Sequence, residues 1–290
     1  MKLARVAVSS GETRIVSVNE SDLQLLDLTQ VDNTRRLSDI LHSKDPIGLA
    51  KFLIDQKADP LALSDVRFLA PIDQQEVWAA GVTYKRSQVA RMEESETGAS
   101  HYDRVYTAPR PEIFFKATPG RVAGPGQVLR VRYDSNWSVP EPEFTLVISP
   151  KGRLVGYTIG NDMSARDIEG ENPLYLPQAK LYKQCAGLGP CILLAEGDLD
   201  LEATKIELSI TRDGSEVFSG DTNLGQMART FDDLITWLFR ENDIPTGAFL
   251  MTGTGIVPDD DFTLEDGDSV SITIAGVGTL TNPIVKDGAP

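Results

Sequence analysis

The chain has few of the residues on which many enzyme sites depend, since its 290 residues include two cysteines and two histidines. Cys185 and Cys191 have a spacing that fits no common zinc or redox motif, so we predict buried, reduced thiols. His42 lies in the N-terminal part, where we expect no role in chemistry. His101 lies in a stretch that we expect to be an exposed loop. A catalytic centre therefore has little imidazole or thiolate to draw on.

Positive charge is also scarce, because 28 Lys and Arg residues stand against 43 Asp and Glu, a formal net charge of −15. Nucleic-acid binding draws most of its affinity from cationic contacts to phosphate, and no basic stripe compensates for this balance. No apolar run approaches the roughly 20 residues of a membrane helix, and the N-terminal segment lacks the apolar region of a signal peptide. We expect a cytoplasmic protein with neither nucleic-acid nor membrane partners.

The chain divides near residue 70. Short strand-like and helical segments alternate up to about residue 69, where Pro71 interrupts the pattern. We predict a small N-terminal α/β accessory domain over residues 1–69 and a catalytic domain over residues 70–290. The second part has short strands separated by Gly and Asp-Gly turns, with one amphipathic helix over residues 230–240. Helices do not alternate regularly with strands, so the pattern indicates an α+β, β-rich fold and disfavours a doubly wound sheet.

Three carboxylates, on Glu141, Glu143 and Asp162, are the most informative feature. Side chains at i and i+2 of a strand point to the same face, so the two Glu residues can reach one point. Residues 144–159 predict a hairpin, and a turn centred on residues 151 and 152 would place Glu141 opposite Asp162. A loop one residue longer or shorter would send Asp162 to the other face.

These three carboxylates predict a divalent metal site. Ionised carboxylates at one point repel each other unless a cation lies between them. The nearby chain offers no His and no thiolate, and oxygen ligands suit Mg²⁺, Mn²⁺ or Ca²⁺ better than Zn²⁺ or Cu²⁺. Mg²⁺ is our first choice, with Mn²⁺ or Ca²⁺ as substitutes. From spacing alone, ordinary surface charge on a solvated strand explains the same residues.

Six segments resemble, in order, those of the fumarylacetoacetate hydrolase superfamily, over about residues 71–285. They are residues 80–84, 111–116, 140–144, 156–167, 187–190 and 252–255. The resemblance implies a β-roll fold and Glu141, Glu143 and Asp162 as ligands of a divalent metal. It also implies a small-molecule 2-oxo acid substrate that chelates this metal, and a homodimer or dimer of dimers.

Two departures from the hydrolases of that superfamily point to a narrower group. Hydrolases and decarboxylases place a His soon after the Gly-x-x-Tyr strand, whereas Tyr84 is followed by Lys85 and Arg86. Gly255 follows Thr254 where hydrolases usually have Pro. With residues 81–84, 91–94 and 171–180, these features are similar to dehydratases of 2-keto-3-deoxy sugar acids.

This narrower resemblance implies an Mg²⁺-dependent hydro-lyase that converts 2-keto-3-deoxy-D-arabinonate to 2,5-dioxopentanoate and water in oxidative pentose breakdown. It implies Lys180 as a catalytic residue, with Glu112 close to the substrate. Lys180 could act as a base at C3 or as an ammonium that holds the enolate oxygen, and Glu112 is the candidate for proton handling at C4. Weaker candidates for binding the substrate's hydroxyls and carboxylate are Tyr84, Arg86, Gln178 and Thr254.

Several alternatives stay open. Residues 91–98 fit a lid over the substrate about as well as an ordinary surface helix, and Arg166 and Asp167 fit a structural ion pair. The chain could instead be a C–C hydrolase of acylpyruvates or fumarylpyruvate, or a decarboxylase of oxaloacetate, for which His101 would be the His to test. A non-enzymatic module that keeps the metal site and binds a 2-oxo acid is the third hypothesis.

Overall fold

The computed structural model describes residues 1–85 and 105–288, and strands dominate this part of the chain. The strands are β1 (Lys2–Val8), β2 (Thr13–Val18), β3 (Asp22–Leu25), β4 (Leu61–Ala62), β5 (Val66–Leu69), β6 (Glu76–Gly81), β7 (Glu112–Ala117), β8 (Val122–Ala123), β9 (Leu129–Val131), β10 (Ser138–Val139), β11 (Pro142–Ile148), β12 (Leu154–Asp162), β13 (Ser164–Ala165), β14 (Ala186–Leu194), β15 (Lys205–Arg212), β16 (Ser215–Asn223), β17 (Ala248–Met251), β18 (Ser269–Ile274) and β19 (Gly278–Lys286). The α-helices are α1 (Leu37–Leu41), α2 (Pro46–Leu53), α3 (Arg166–Glu171), α4 (Leu176–Lys180) and α5 (Phe231–Leu238).

A large mixed sheet forms the centre of the fold. Its hydrogen-bonded neighbours run in the order β4-β3-β2-β1-β14-β12-β11-β17-β6-β7, with β5 added to β1 and β8 added to β14. A second sheet has the order β16-β15-β18-β19-β9, and β10 pairs with β13. The β6–β17, β8–β14 and β9–β19 pairs are parallel, whereas the β11–β12 pair is an antiparallel hairpin. The strand-rich α+β fold predicted from the sequence is confirmed.

Apolar clusters cover both faces of the large sheet. On one face, Phe144 of β11 belongs to a cluster with Ile206 of the second sheet, so this part of the core lies between the two sheets. On the other face, Phe249 of β17 belongs to a cluster with Leu41 and other residues of α1 and α2. Because both faces are covered, β11 is buried throughout and β12 almost throughout. Polar residues on these two strands are therefore held away from bulk solvent.

The N-terminal part continues the large sheet. Residues 1–69 supply β1 to β5, and Lys2 and Leu3 of β1 pair with Leu193 and Ile192 of β14. The division into domains at residues 69 and 70 stays a prediction.

Two local predictions are confirmed. The helix expected over residues 230–240 is α5, and the side chain of Thr230 caps it by accepting a hydrogen bond from the main-chain nitrogen of Asp233 at 3.2 Å. Cys185 and Cys191 are buried and form no disulfide. Across residues 1–85 and 105–288, we find no helix with the length and apolar character that crossing a bilayer requires.

Candidate metal centre and active site

The hairpin of β11 and β12 brings the three predicted carboxylates together. Glu143 lies opposite Gly160, and the main-chain nitrogen of Asp162 donates to the carbonyl oxygen of Glu141 at 3.0 Å. Glu141 therefore faces Asp162, and the predicted register is confirmed. Each of the three side chains offers a carboxylate oxygen, and these oxygens all lie within 4.8 Å of one another. We call Glu141, Glu143 and Asp162 the carboxylate cluster.

The turn of this hairpin differs from the predicted one by one residue. The main-chain nitrogen of Ser149 donates to the carbonyl oxygen of Arg153 at 2.9 Å, which centres the turn on Lys151. Val155 is then a bulge, because its neighbours in β12 pair with two consecutive residues of β11. The extra residue that the bulge adds to β12 offsets the one-residue difference at the turn, so the pairing beyond the bulge has the predicted register. Without it, the side chain of Asp162 would point to the opposite face of the sheet.

Three buried cations contact the carboxylate cluster. The Nζ atom of Lys180 donates to Glu141 Oε2 at 2.5 Å and to Asp162 Oδ2 at 3.1 Å. Arg166 Nη2 donates to Glu141 Oε1 at 2.9 Å, and Lys116 Nζ lies 2.6 Å from Asp162 Oδ1. All three cations are at most 1% exposed. The sequence predicted a metal because three carboxylates at one point repel each other. The chain's own positive charges relieve part of this repulsion, and because they are buried, solvent screens them little.

Glu143 has a different environment from the other two carboxylates. Its Oε2 atom accepts a hydrogen bond from the main-chain nitrogen of Gly253 at 2.5 Å. Burial raises the pKa of Glu143 well above its usual range, and the neighbouring Asp162 and Glu141 raise it further, against the lowering effect of Lys180. A divalent cation beside Glu143 would favour its charged form, because a bound ion is the largest charge in such a site.

The cluster and its surroundings fit a small, hard cation. The three side chains offer oxygen ligands alone, which is the donor type that Mg²⁺ prefers. A cavity of about 10 Å³ adjoins them, close to the space that one bound water molecule needs. Glu141, Glu143 and Asp162 can thus hold Mg²⁺, although their role as ligands stays a prediction.

Residues from several elements line this cavity besides the cluster. Glu112 and Phe114 on β7 are two residues apart and both line it, and Lys116 continues the same strand face toward Asp162. Gly81 of β6 pairs with Glu112. A Cβ atom at position 81 would lie 2.0 Å from Glu112 Oε2, so a glycine here gives the carboxylate its space.

Sequence reasoning missed Glu169 and Lys116. Glu169 is a buried carboxylate at the cavity wall that does not belong to the carboxylate cluster, and it accepts a hydrogen bond from Ser164 Oγ at 3.0 Å. It stands three residues after Arg166 on α3, a spacing that puts both on one helix face. Lys116 stands four residues after Glu112 on β7, which also predicts a shared face. These two spacings are the signals by which the sequence could have identified them.

The other predicted site residues lie in different places. Thr254 is buried and lines the cavity. Tyr84 is buried, and its burial, followed by the charge of Glu143, raises the pKa of its phenol, so it is a neutral hydroxyl near the cluster. Gln178 is exposed, and its main-chain carbonyl oxygen accepts a hydrogen bond from Arg132 Nη1 at 3.2 Å. The structure therefore brings Lys180, Glu112 and Thr254 to the cavity and leaves Gln178 on the surface.

Some expectations lie outside the described residues, namely those for Arg86, His101 and the possible lid at 91–98, and they stay predictions. Arg166 forms an ion pair with Glu141. Asp167 accepts hydrogen bonds from Ser135 Oγ and from the main-chain nitrogen of Asn136, each at 2.7 Å, so it braces the segment before β10.

The chain is similar to several known proteins over most of its length. Residues 76–285 match the family model described as fumarylacetoacetate (FAA) hydrolase C-terminal. A Haloferax volcanii protein named "Probable 2-keto-3-deoxyxylonate dehydratase" is 43% identical over 285 residues, covering 95% of this chain and 96% of the relative. The "2-dehydro-3-deoxy-D-arabinonate dehydratase" of Saccharolobus solfataricus is 40% identical over 291 residues, covering 99% and 97%. A solved structure described as "2-keto-3-deoxy-D-arabinonate dehydratase complexed with magnesium and 2,5-dioxopentanoate" is 37% identical, with full coverage of both chains and a TM-score of 0.83.

Proposed function

The chain belongs to the fumarylacetoacetate hydrolase family, and from that premise we propose that it is an Mg²⁺-dependent hydro-lyase of a 2-keto-3-deoxy sugar acid. The proposed substrate is 2-keto-3-deoxy-D-arabinonate, and the products are 2,5-dioxopentanoate and water, in oxidative pentose breakdown. The observation that carries this proposal is the carboxylate cluster beside Lys180 and Glu112 in one cavity. Two relatives named dehydratases, at 43% and 40% identity, support the reaction class. The magnesium and 2,5-dioxopentanoate named for the solved structure support the metal and the product.

The carboxylate cluster is the proposed metal site. Glu141, Glu143 and Asp162 would hold Mg²⁺, for which Mn²⁺ or Ca²⁺ are substitutes. When bound, a divalent cation polarises the C2 carbonyl of a 2-oxo acid and so acidifies its C3 protons. The cations that already contact Glu141 and Asp162 hold those two carboxylates in position.

Lys180 is the proposed catalytic residue on the C3 side. Its Nζ atom lies within 3.1 Å of oxygens from Glu141 and Asp162, so it would lie beside a metal held by these two carboxylates. It serves this side either as the base that removes the C3 proton or as the ammonium that stabilises charge on the C2 oxygen. A preorganised donor of the second kind typically contributes about 10²- to 10³-fold in rate.

Glu112 is the proposed proton donor for the departing C4 hydroxyl; after water is lost, transfer of a proton from C5 to C3 gives the enol of 2,5-dioxopentanoate. Glu112 lines the cavity but, among the described residues, is not one of the carboxylates of the cluster. Its place on β7, opposite Gly81, directs it into the same space as Lys180 from another wall. Positioned proton donors and bases typically contribute about 10²- to 10⁴-fold each. Thr254 and Tyr84, with Arg86, are proposed contacts for the rest of the substrate.

A substrate panel tests the proposed function. We expect 2,5-dioxopentanoate to form from 2-keto-3-deoxypentonates in the presence of Mg²⁺, to disappear with EDTA, and to return when Mg²⁺ is restored, as measured by NMR or mass spectrometry of the products. Full activity after thorough chelation would sink the proposal. Turnover of acetylpyruvate that His101→Ala abolishes would favour a C–C hydrolase, and tight binding of 2-oxo acids with no turnover would favour a binding module.

Gly81→Ala is expected to impair catalysis while leaving the metal site intact. The added Cβ would lie 2.0 Å from Glu112 Oε2 and would move that carboxylate. Since small misplacements of a catalytic group cost up to about 10²-fold, we expect kcat to fall by about 10- to 100-fold. Mg²⁺ affinity measured by calorimetry should not change. Gly120→Ala is the matched control, because a Cβ there meets open space. Equal activity in both variants would contradict the role given to Glu112.

A further inference from the structure

Glu169 is a carboxylate that lines the cavity and to which the proposed mechanism assigns no role. It is 2% exposed and lines the same cavity as Glu112 and Lys180, yet among the described residues it is not one of the carboxylates of the cluster. We infer that Glu169 is a specificity-determining residue that accepts a hydrogen bond from the substrate hydroxyl beyond C4. This inference rests on the proposed function and extends it from the reaction to the choice of substrate.

The fold fixes Glu169 relative to the metal site. Its helix, α3, begins four residues after Asp162, and Arg166 in the first turn donates to Glu141 at 2.9 Å. Ser164, which is fully buried, donates from Oγ to Glu169 Oε2 at 3.0 Å and sets the direction of the side chain. One short segment thus carries a cluster residue, a partner of the cluster and Glu169, so their separation changes little. A carboxylate held in this way can select substrates that carry a hydrogen-bond donor at a fixed distance from the metal site.

The chemistry of Glu169 suits a hydroxyl group. An ionised carboxylate accepts hydrogen bonds and donates none, so it pairs with O–H groups and repels carboxylates and carbonyl oxygens. A 2-keto-3-deoxypentonate held at C1 and C2 presents hydroxyls at C4 and C5, and Glu112 is assigned to C4. The C5 hydroxyl is therefore the group left for Glu169.

The same carboxylate disfavours the substrates of the alternative functions. Acetylpyruvate has no hydroxyl beyond C4 that could donate a hydrogen bond to Glu169. Oxaloacetate carries a second carboxylate at C4, which an ionised Glu169 would repel. A site that hydrogen-bonds a substrate hydroxyl typically rejects analogues that lack this hydroxyl. Glu169 thus selects a hydroxylated chain over the acyl and dicarboxylic ones.

Glu169→Gln tests the inference through two ligands. For a 2-keto-3-deoxypentonate with Mg²⁺, we expect kcat/KM to fall by about 10- to 100-fold, mainly through KM, because a hydrogen bond to a charged group is lost. The Kd of oxalate with Mg²⁺, measured by calorimetry, should stay within about 2-fold, since oxalate engages the metal and has no hydroxyl. Glu171→Gln is the matched control, with the same chemical change at an exposed position of the same helix. Ser164→Ala should raise KM in the same direction by a smaller factor.

Each result of these experiments either supports or overturns the role inferred for Glu169. Equal weakening of oxalate and of the sugar acid would assign Glu169 a structural role and overturn the inference, as would an unchanged KM. If Glu169→Gln lacks a cooperative melting transition, Ser164→Ala takes its place, and an unchanged KM there overturns the inference. Failure of the unmodified protein to bind oxalate in an Mg²⁺-dependent way would instead remove the proposed function, and with it the premise. Retained oxalate binding and a raised KM support the inference.

Discussion

Glu143→Gln is expected to abolish measurable Mg²⁺ binding and to lower dehydration by at least about 10³-fold, while the metal-free protein stays as stable as the unmodified one or gains stability. The loss of function follows because one of three carboxylates of the cluster is removed and a bound metal supplies several kcal/mol of transition-state stabilisation. The measurements are calorimetric titration with Mg²⁺, product formation, and thermal melting with and without Mg²⁺.

The stability of this variant follows from the surroundings of Glu143. Burial and two neighbouring carboxylates raise its pKa, which means that its negative charge is unfavourable in the metal-free protein. Glutamine has nearly the same shape without the charge, so the substitution relieves repulsion with Asp162 and Glu141. In the unmodified protein, Mg²⁺ at 100 times its Kd should add about 2.7 kcal/mol to the free energy of unfolding. In Glu143→Gln that gain should vanish.

Glu141→Gln is the matched control, since it makes the same change in the same cluster with a different expected effect on stability. Glu141 accepts hydrogen bonds from both Arg166 and Lys180. Removing one partner of a buried ion pair typically costs about 3–5 kcal/mol, so the metal-free melting temperature should fall in this variant. Mg²⁺ binding should be lost in both. If Glu143→Gln kept its Mg²⁺ affinity, or if it destabilised the metal-free protein as much as Glu141→Gln, the account of the cluster would be wrong.

The hairpin shows how far the sequence predicts this site. The apolar run at residues 144–148, the turn at residues 149–152 and the β-rich run that follows predict two strands, and the spacing of Glu141 and Glu143 predicts their shared face. The register of Asp162, however, depends on the combined effect of a turn centred on Lys151 and a bulge at Val155. The position of a bulge depends on how the strand packs against its neighbours, and the local sequence around Val155 does not predict it. The register was predicted correctly, although the turn was placed one residue away.

The charges around the cluster show what the sequence could not supply. Three carboxylates at one point predicted a compensating cation, and the structure adds Lys116, Arg166 and Lys180 to that account. Lys116 is far from Asp162 along the chain, and β11, β17 and β6 lie between β12 and β7 in the large sheet, so their contact at 2.6 Å requires the sheet to curve. Such contacts depend on the order of the strands in the sheet, and the hydrophobic periodicity of a single strand does not predict that order. The spacing of the carboxylates and the family resemblance therefore predicted the three ligands, whereas the cations that contact them could be identified only from the fold.

Lys180→Met and Glu112→Gln are expected to separate the two halves of the reaction. Dehydration should fall by about 10³- to 10⁴-fold in Lys180→Met and by about 10²- to 10³-fold in Glu112→Gln. Exchange of the C3 hydrogens of 2-oxobutyrate in D₂O, followed by proton NMR, reports on the C3 side alone, because this ligand has no C4 hydroxyl. Glu112→Gln should keep this exchange within about 10-fold, since proton transfer at C4 is not needed for it. Lys180→Met should lose it.

The loss in Lys180→Met must come from chemistry and not from the metal. Lys180 Nζ lies 2.5 Å from Glu141 Oε2, so removing its charge should leave Mg²⁺ affinity unchanged or higher, which calorimetry measures. Lys183→Met, at an exposed position three residues away, is the matched control and should behave as the unmodified protein. Lys180→Arg then distinguishes the two roles, because arginine keeps the positive charge but cannot act as a base. Exchange that survives in Lys180→Arg assigns the ammonium role, and exchange that is lost from a folded Lys180→Arg with intact Mg²⁺ binding assigns the base. Exchange at the unmodified rate in Lys180→Met would remove Lys180 from the C3 side altogether.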